Sequence, residues 1–395
     1  MASPEVAVPF LRGPALKFNS SGRLKVWNSQ TSVASPNPPP QSYSWPAASP
    51  SPVTADTGFM TAELRDNNSA MSLPVIDLAG LRSGDAAARE EIVRELGAAT
   101  EAWGFFQVVN HSVADELQGR MHEQARKFFN LPLDVKKKAE IVGPNPRTFG
   151  YRGTLKSAYA GAKEVVLKES LADSREPSCS VDDLAAKIWP GGNSTFSNTV
   201  QEHCLSVEAL GHQLLELLAE SLGVQRDFYS RHFKNPDERS GTWRLHHFPP
   251  NSLPYDVWRT VPHSDPSVLT LLKQDVGGLQ VKKPGGRNWI DVKALPGSFV
   301  VNVGDIMEAW SNGRFPSVEH RVALNKECER FSMVHFLDAQ PSLHIEAPPE
   351  LIDEDHPSLF VPFIARDFRA IFDRSKQAGN IRKGTSLDCV RRHVA

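Results

Sequence analysis

The spacing of apolar positions changes character along the chain, and each change predicts a different kind of element. Leu73-Pro74-Val75-Ile76-Asp77-Leu78 is a short apolar run that predicts a strand, and the Ala- and Glu-rich residues 85–102 carry helical periodicity. Trp103-Gly104-Phe105-Phe106-Gln107-Val108-Val109-Asn110-His111 then predicts a glycine turn into a buried strand. Helical spacing resumes over residues 113–130, ending before Leu131-Pro132, and again over residues 198–223, closed by Gly223.

Beyond about Gly241 the texture becomes short β-type runs separated by Pro and Gly: Trp243 to Phe248, Val268 to Leu272, Gly278 to Val281, Trp289 to Val292, Ser298 to Val303, Ser317 to Leu324 and Arg330 to Phe336. Many short strands at this interval predict an antiparallel sandwich or barrel, of which the jelly roll offers a cavity between its sheets. A last helix, residues 366–378, is placed to close one end. Before all of this, residues 1–70 are rich in Ser, Pro, Ala and Asn and include the tract Ser35-Pro36-Asn37-Pro38-Pro39-Pro40. Such a composition cannot bury enough apolar surface to offset its ordering entropy and predicts a disordered extension. The expected organisation is therefore a 1–70 extension, a helical and β module over 71–235, a jelly-roll core over 236–345, and a C-terminal helix and tail over 346–395.

Composition narrows the classes of partner. Lys plus Arg number 44 against 46 acidic residues, so the net charge of −2 offers no electrostatic reason to bind nucleic acid or an acidic membrane surface. No run approaches the roughly 20 apolar residues needed to cross a bilayer. The four cysteines, Cys179, Cys204, Cys328 and Cys389, form no CxxC pair, which argues against a disulfide framework or a Cys-rich zinc site. A small-molecule substrate and a cytoplasmic location, with the nucleus also open, are the expectations; a plastid transit peptide in residues 1–70 is disfavoured by sparse basic residues.

His263-Ser264-Asp265 carries the most chemical information, because His-x-Asp at a strand end puts both side chains on one face. His320 follows with 54 residues between, a gap that suits several strands returning the chain to the same cavity. Two imidazoles and one carboxylate on one face of an octahedral ion leave three positions open, as non-haem Fe(II) oxygenases require. A chelating 2-oxo acid can take two of those positions and O2 the third. His-x-Asp also arises by chance on exposed strands, with His320 as a core histidine. Arg330-Phe331-Ser332 weighs against that reading: Arg330 and Ser332 share a strand face ten residues after His320 and can grip the far carboxylate of 2-oxoglutarate.

With these motifs in hand, the chain resembles the plant 2-oxoglutarate- and Fe(II)-dependent dioxygenases, the family that contains gibberellin oxidases and flavonoid oxygenases, from about Leu73 to Gly379. The matching pieces are the two N-terminal runs above, Pro262-His263-Ser264-Asp265, Gly277-Gly278-Leu279-Gln280-Val281, Val301-Asn302-Val303-Gly304-Asp305, Trp310-Ser311-Asn312-Gly313, Ser317-Val318-Glu319-His320-Arg321 and Arg330-Phe331-Ser332. The resemblance implies a double-stranded β-helix (cupin-like) core, His263, Asp265 and His320 as iron ligands, Arg330 and Ser332 as the 2-oxoglutarate clamp, and O2 as co-substrate with ascorbate in support. One departure is evident: where relatives commonly carry Asn-x-Tyr, this chain reads His246-His247-Phe248-Pro249-Pro250. Phe248 has no hydroxyl, so that cosubstrate contact is either lost or supplied by His246.

Adjacent strand residues face opposite sides, so His246 and His247 are read as one cavity-lining residue and one packed or solvated residue rather than a second metal site. Phe248, Trp310 and Phe336 are candidates for the substrate pocket, Trp310 and Phe336 equally for plain core. Gly277-Gly278 and Val303-Gly304-Asp305 are assigned to turns and core geometry. The expected reaction is oxidation, most commonly hydroxylation, of a small plant metabolite. Gln274 to Gln280 and Ala309 to Asn312 look most like gibberellin oxidases, especially those that hydroxylate at carbon 2 and inactivate the hormone. Other hormones, flavonoids or alkaloids remain alternatives, as do a zinc-type metallohydrolase, for which Arg330 and Ser332 would have no purpose, and a catalytically silent ligand-binding protein.

Overall fold

The computed structural model describes residues 72–140, 150–153, 168–172, 180–233, 241–250, 260–323, 328–377 and 387–392. The expected extension over 1–70 and Cys179 lie outside the described residues. Along the chain the elements are β1 (Val75–Asp77), α1 (Ala86–Trp103), β2 (Phe105–Val109), α2 (Asp115–Phe129), α3 (Leu133–Lys137), β3 (Gly150–Arg152), β4 (Glu169–Ala172), α4 (Val181–Ile188), α5 (Ser194–Ser221), β5 (Gly241–Phe248), β6 (Thr260–His263), β7 (Leu269–Gln274), β8 (Leu279–Lys282), β9 (Trp289–Asp291), β10 (Phe299–Val303), α6 (Asp305–Trp310), β11 (His320–Val322), β12 (Arg330–Leu337), β13 (His344–Ile345), β14 (Phe363–Ile364) and α7 (Ala365–Gln377).

The helix starts follow from local chemistry. Asp85 accepts from the Ala87 amide to cap α1, Ser180 and Asp183 cap each other's amides at α4, and Asn193 accepts from the Phe196 amide at α5. At the end of α1, Gly104 adopts φ 63°, and a Cβ there would lie 2.0 Å from the Pro316 carbonyl oxygen, so both conformation and space require glycine. The turn expected after Trp103 has this origin.

An eight-stranded sheet runs in the order β1-β2-β10-β7-β12-β5-β4-β3, and a four-stranded sheet in the order β6-β11-β8-β9. All pairings in both are antiparallel except β1 with β2. Residues of both sheets line one cavity, the jelly-roll arrangement expected from the strand pattern. Strands from before residue 235 extend the large sheet at both edges, since β2 pairs with β10 and β4 with β5. The outer face of that sheet is covered by α5, whose buried Val207, Leu210, Leu214, Leu215, Leu217 and Leu218 belong to the main apolar core and which packs against α1, α2, α4 and β12. Burial of such a face is the dominant stabilising contribution. No helix among the described residues is long and apolar enough to cross a membrane.

The strands β3 and β4 and the helices α4 and α6 have no counterpart in the sequence reading. Gly150-Tyr151-Arg152 and Glu169-Ser170-Leu171-Ala172 contain no apolar run that marks a strand, and α6 starts within the Val303-Gly304-Asp305 segment read as a turn. Gly304 is tightly constrained there, because a Cβ would meet the Ser267 carbonyl oxygen at 2.0 Å.

Candidate active site

Strand register brings the two histidines together. In the antiparallel pair of β6 with β11, His263 and His320 sit directly opposite one another, and their ring centroids are 4.2 Å apart. Asp265 follows two residues after the end of β6, with Nε2 of His263 3.6 Å from its Oδ1 and Nε2 of His320 3.7 Å from its Oδ2. One ligand atom from each residue lies within 4.8 Å of the others, and this is the only such group of three found among the described residues. The rings are oriented from behind: Nδ1 of His263 is 2.9 Å from the Val261 carbonyl oxygen and Nδ1 of His320 is 3.3 Å from that of Val318. Holding Nδ1–H on a carbonyl leaves Nε2 as the lone-pair atom facing the shared point.

The carboxylate is steered by the large sheet. Thr270 Oγ1 on β7 donates to Asp265 Oδ2 at 2.7 Å, Asn302 Nδ2 on β10 donates to the same oxygen at 3.0 Å, and the Asp305 amide donates to the Asp265 carbonyl at 2.7 Å. Burial pushes the Asp265 carboxyl up, but the two imidazoles and these side-chain donors outweigh it and hold it below the ordinary carboxylate range. Burial, then the neighbouring His320, push the His263 imidazole down to about 3, so it is neutral at physiological pH and its lone pair is available. Two nitrogen donors and an anionic oxygen on one side of a common point fit a divalent transition ion such as Fe(II), with the opposite side facing the cavity.

Ser264, between the two ligand-type residues, donates to Asp305 Oδ2 at 3.2 Å, and Ser317 Oγ donates to Asp305 Oδ1 at 2.8 Å. Burial pushes the Asp305 carboxyl up to about 7 against those two hydrogen bonds. Asp305 thus ties the segment carrying Asp265 to the segment leading into His320.

At the other end of the cavity Arg330 is only 2% exposed. Its Nη1 donates to Ser332 Oγ at 2.9 Å, its Nη2 to Gln274 Oε1 at 3.0 Å and its Nε to the Val276 carbonyl at 3.2 Å. Across the β12–β5 pair Arg330 stands opposite Phe248 and Ser332 opposite His246, which sets all four on one face. The Phe248 ring lies 5.0 Å below the guanidinium and stacks on it where a tyrosine would have offered a hydroxyl. Burial lowers the Arg330 pKa to about 10, which still leaves a full positive charge at neutral pH. His246 Nδ1 is 2.7 Å from Ser170 Oγ, and burial together with nearby Lys168, Arg244 and Arg330 keeps the ring neutral.

His247 points the other way, as strand alternation requires. Its ring stacks on Phe331 at 4.6 Å, with Nδ1 2.8 Å from Glu169 Oε1 and Nε2 3.2 Å from Glu329 Oε2. Phe336 and Phe248 line the cavity, and α7 brings Phe372 to it. Trp310 does not line it: on α6 it is 2% exposed and packs edge-on to Tyr229 at 5.0 Å, so its reading as a pocket residue is corrected to core. Once Asp305 starts a helix rather than a turn, the 3.6-residue period carries Trp310 into the core.

Several functional positions escaped the sequence reading. Gln274 and Asn302 lie in quoted motifs, but their roles are toward residues far away in the chain, and no local pattern states these or the role of Thr270. Arg244 alternates with His246 and Phe248 on β5 and could have been flagged from that spacing. Lys168 could not; its Nζ donates to Thr260 Oγ1 at 3.1 Å and lies 5.9 Å from the Phe248 ring.

Comparison with known proteins gives a consistent picture. Residues 240–339 match the 2OG-Fe(II) oxygenase superfamily model, and residues 73–191 the N-terminal model described as non-haem dioxygenase in morphine synthesis. Gibberellin 20 oxidase 1-A of Triticum aestivum is 33% identical over 332 residues, covering 83% of this chain and 85% of that protein. Gibberellin 2-beta-dioxygenase 8 of Arabidopsis thaliana is 33% identical over 300 residues, covering 76% and 81%. Among solved structures, JOX2 in complex with 2OG, Fe and JA superposes with a TM-score of 0.67 at 28% identity over 82% of this chain and 90% of that one. The rice dioxygenase for auxin oxidation superposes with a TM-score of 0.65 at 28% identity over 81% and 100%.

Proposed function

The chain belongs to the 2OG-Fe(II) oxygenase superfamily, and from that premise we propose that it oxidises a gibberellin, by hydroxylation at carbon 2. In this reading His263, Asp265 and His320 hold the iron, and Arg330 with Ser332 receives the remote carboxylate of 2-oxoglutarate. The protein is a 2-oxoglutarate-dependent dioxygenase that uses Fe(II) and 2-oxoglutarate. Bound iron supplies the activation of O2, coupled to oxidative decarboxylation of 2-oxoglutarate to succinate and CO2.

The chain's own residues bind, orient and exclude water. Gln274 and Val276 fix the guanidinium plane, so the carboxylate meets a preset fork rather than a flexible one. Phe248 covers that fork from one side and keeps it from water. Neutral His246 sits beside the clamp, where it takes the place of the missing tyrosine hydroxyl. Thr270 and Asn302 both bond Oδ2 of Asp265, which fixes the carboxylate with Oδ1 toward His263 and Oδ2 toward His320.

The single observation that carries the substrate reading is the charge pattern of the wall. Lys168 and Arg244 bring two cationic side chains, beyond Arg330, to a cavity whose lining also includes the apolar Phe105, Leu272, Val322, Val334 and Phe336. Such a wall suits a carboxylic acid on an apolar skeleton, which gibberellins are. Relatives named for gibberellin 20-oxidation and 2β-oxidation share the same identity, 33%, with this chain, so the carbon attacked rests on the motif likeness around Gln274 to Gln280 and Ala309 to Asn312. The same wall favours a second reading, another apolar acid, since similar proteins are named for jasmonate and auxin.

Purified protein with Fe(II), 2-oxoglutarate and O2 is incubated with gibberellins of both carbon-skeleton sizes, jasmonate and indole-3-acetate, and products are read by mass spectrometry. A gain of one oxygen on a gibberellin with matching succinate is the expected result. Oxygen transfer only to another acid overturns the gibberellin assignment, and binding without succinate under any condition points to a silent ligand-binding protein.

A further inference from the structure

A second cavity of about 490 Å³, more than three times the roughly 150 Å³ around the triad, opens on the opposite face of the eight-stranded sheet. Its floor is apolar, built by Leu245 of β5 with Phe331 and Met333 of β12, and α2 roofs it with Met121 and Ala125. These strand residues alternate with Arg330, Ser332 and His246, which face the triad cavity.

Two of its lining residues each carry a buried side-chain atom without a partner. Gln118 is 6% exposed and His203 1%, yet Gln118 Oε1 and His203 Nδ1 have no hydrogen-bond partner. The Gln118 amide nitrogen is fully engaged, donating to the Val113 carbonyl and to Asp115 Oδ1 at 3.1 Å each, so the amide oxygen is the atom left over. Buried polar atoms without partners are rare in folded proteins and call for one. Lys273 adds a half-buried ammonium, with one donated bond at 3.2 Å to the Ser298 carbonyl.

We propose that this cavity is a second binding site, for a small monocarboxylic acid with an apolar skeleton and a hydroxyl group, whose occupancy is felt by the Arg330 clamp. The skeleton lies on Leu245, Phe331 and Met333, the carboxylate meets Lys273, and the hydroxyl donates to Gln118 Oε1. Asp115 and Asp275, both exposed, also line the cavity, and their charges favour a ligand with one carboxylate over one with two. The coupling is through one layer of side chains: Ser332 lines both cavities, and Gln274 lines this one while its Oε1 accepts from Arg330 Nη2. By linkage, a ligand that biases those two residues must alter 2-oxoglutarate affinity, and 2-oxoglutarate must alter its own.

The test is calorimetric and needs no turnover, so its outcome is independent of the gibberellin assignment. Full-length protein with Mn(II) is titrated with 10-hydroxydecanoate, with 1,10-decanediol and decanoate as probes lacking one polar group each. Two variants locate the site. Lys273→Met keeps the aliphatic stem and removes the charge. Gly119→Phe fills the mouth from α2, where an added Cβ meets nothing within 4 Å and loss of a helical glycine favours the fold. Wild-type protein is expected to bind the hydroxy acid more tightly than decanoate. Lys273→Met should weaken the hydroxy acid tenfold or more and leave the diol unchanged, and Gly119→Phe should abolish both. Saturation with the hydroxy acid should move 2-oxoglutarate affinity fivefold or more in wild type and leave it unmoved in Gly119→Phe. No binding, or equal binding by wild type and both variants, overturns the site; binding with unchanged 2-oxoglutarate affinity overturns the coupling.

Discussion

The two faces of the eight-stranded sheet are made by the same strands and differ in what their polar atoms meet. Toward the triad, Arg330 is held by three acceptors and Asp265 by two side-chain donors and a backbone amide. Toward α2 and α5, His203 Nδ1, Gln118 Oε1 and both ring nitrogens of His335 lack a hydrogen bond. Along β12 the two environments alternate residue by residue, Arg330 and Ser332 on one side, Phe331, Met333 and His335 on the other. A strand's two-residue period can therefore keep a preorganised polar site and an apolar packing surface one side chain apart. Substitutions on the first face should damage chemistry with little loss of stability, and those on the second should do the reverse.

The largest break is expected from His263→Ala, Asp265→Ala or His320→Ala, each of which removes one of three candidate metal bonds. Turnover should fall to background and metal titration should show weakened Fe(II) or Mn(II) binding, while circular dichroism stays unchanged. A variant that turns over near normally at limiting iron is not missing a ligand.

Phe331→Ala tests the other face. Phe331 is 4% exposed and stacked on His247, so truncation should cost about 3–5 kcal/mol of stability, read as a shifted urea midpoint. Its half-saturation for 2-oxoglutarate should change little; a large change with no loss of stability would mean that the two faces are not separable.

For Arg330→Ala the expected loss is about 2–5 kcal/mol in 2-oxoglutarate binding, because the cosubstrate carboxylate loses a desolvated charged partner. Arg330→Lys should lose less, keeping the charge without the planar fork. Iron affinity should stay near wild type in both. Unchanged 2-oxoglutarate dependence in the Ala variant would remove the clamp assignment.

The smallest effect sharpens the comparison through pH. Burial, then nearby Lys273, push His203 down to about 4, and burial, then His203 and His212, push His335 down to about 3, from an ordinary 6.5. With the folded pKa below the unfolded one, the unfolded chain binds protons first on acidification. The stability each neutral ring contributes is therefore whole above about pH 6.5 and is lost as pH falls toward the folded value. Between pH 7 and 5.5 this amounts to about 1 kcal/mol per histidine. His335→Phe should flatten the dependence of the urea midpoint over that window; an unaltered slope would mean that His335 is not a proton-sensitive element.

Much of this was legible from residue types and spacing. The Arg330-x-Ser332 pair, the alternation that separates His246 from His247 and the short-strand texture of the core follow from a two-residue period, which is local. The helices α1, α2, α5 and α7 announced themselves by apolar spacing that the caps at Asp85 and Asn193 confirm to within a few residues. A period states which side chains share a face, but not which strand lies alongside. Only tertiary structure set His263 opposite His320, brought Thr270 and Asn302 to Asp265, placed Gln274 under Arg330 and carried Lys168 to the cavity wall. It also turned Trp310 into the core by starting a helix at Asp305. Those outcomes depend on register and on long-range pairing, whose energetics are settled between segments far apart in the chain and leave no mark on either segment alone.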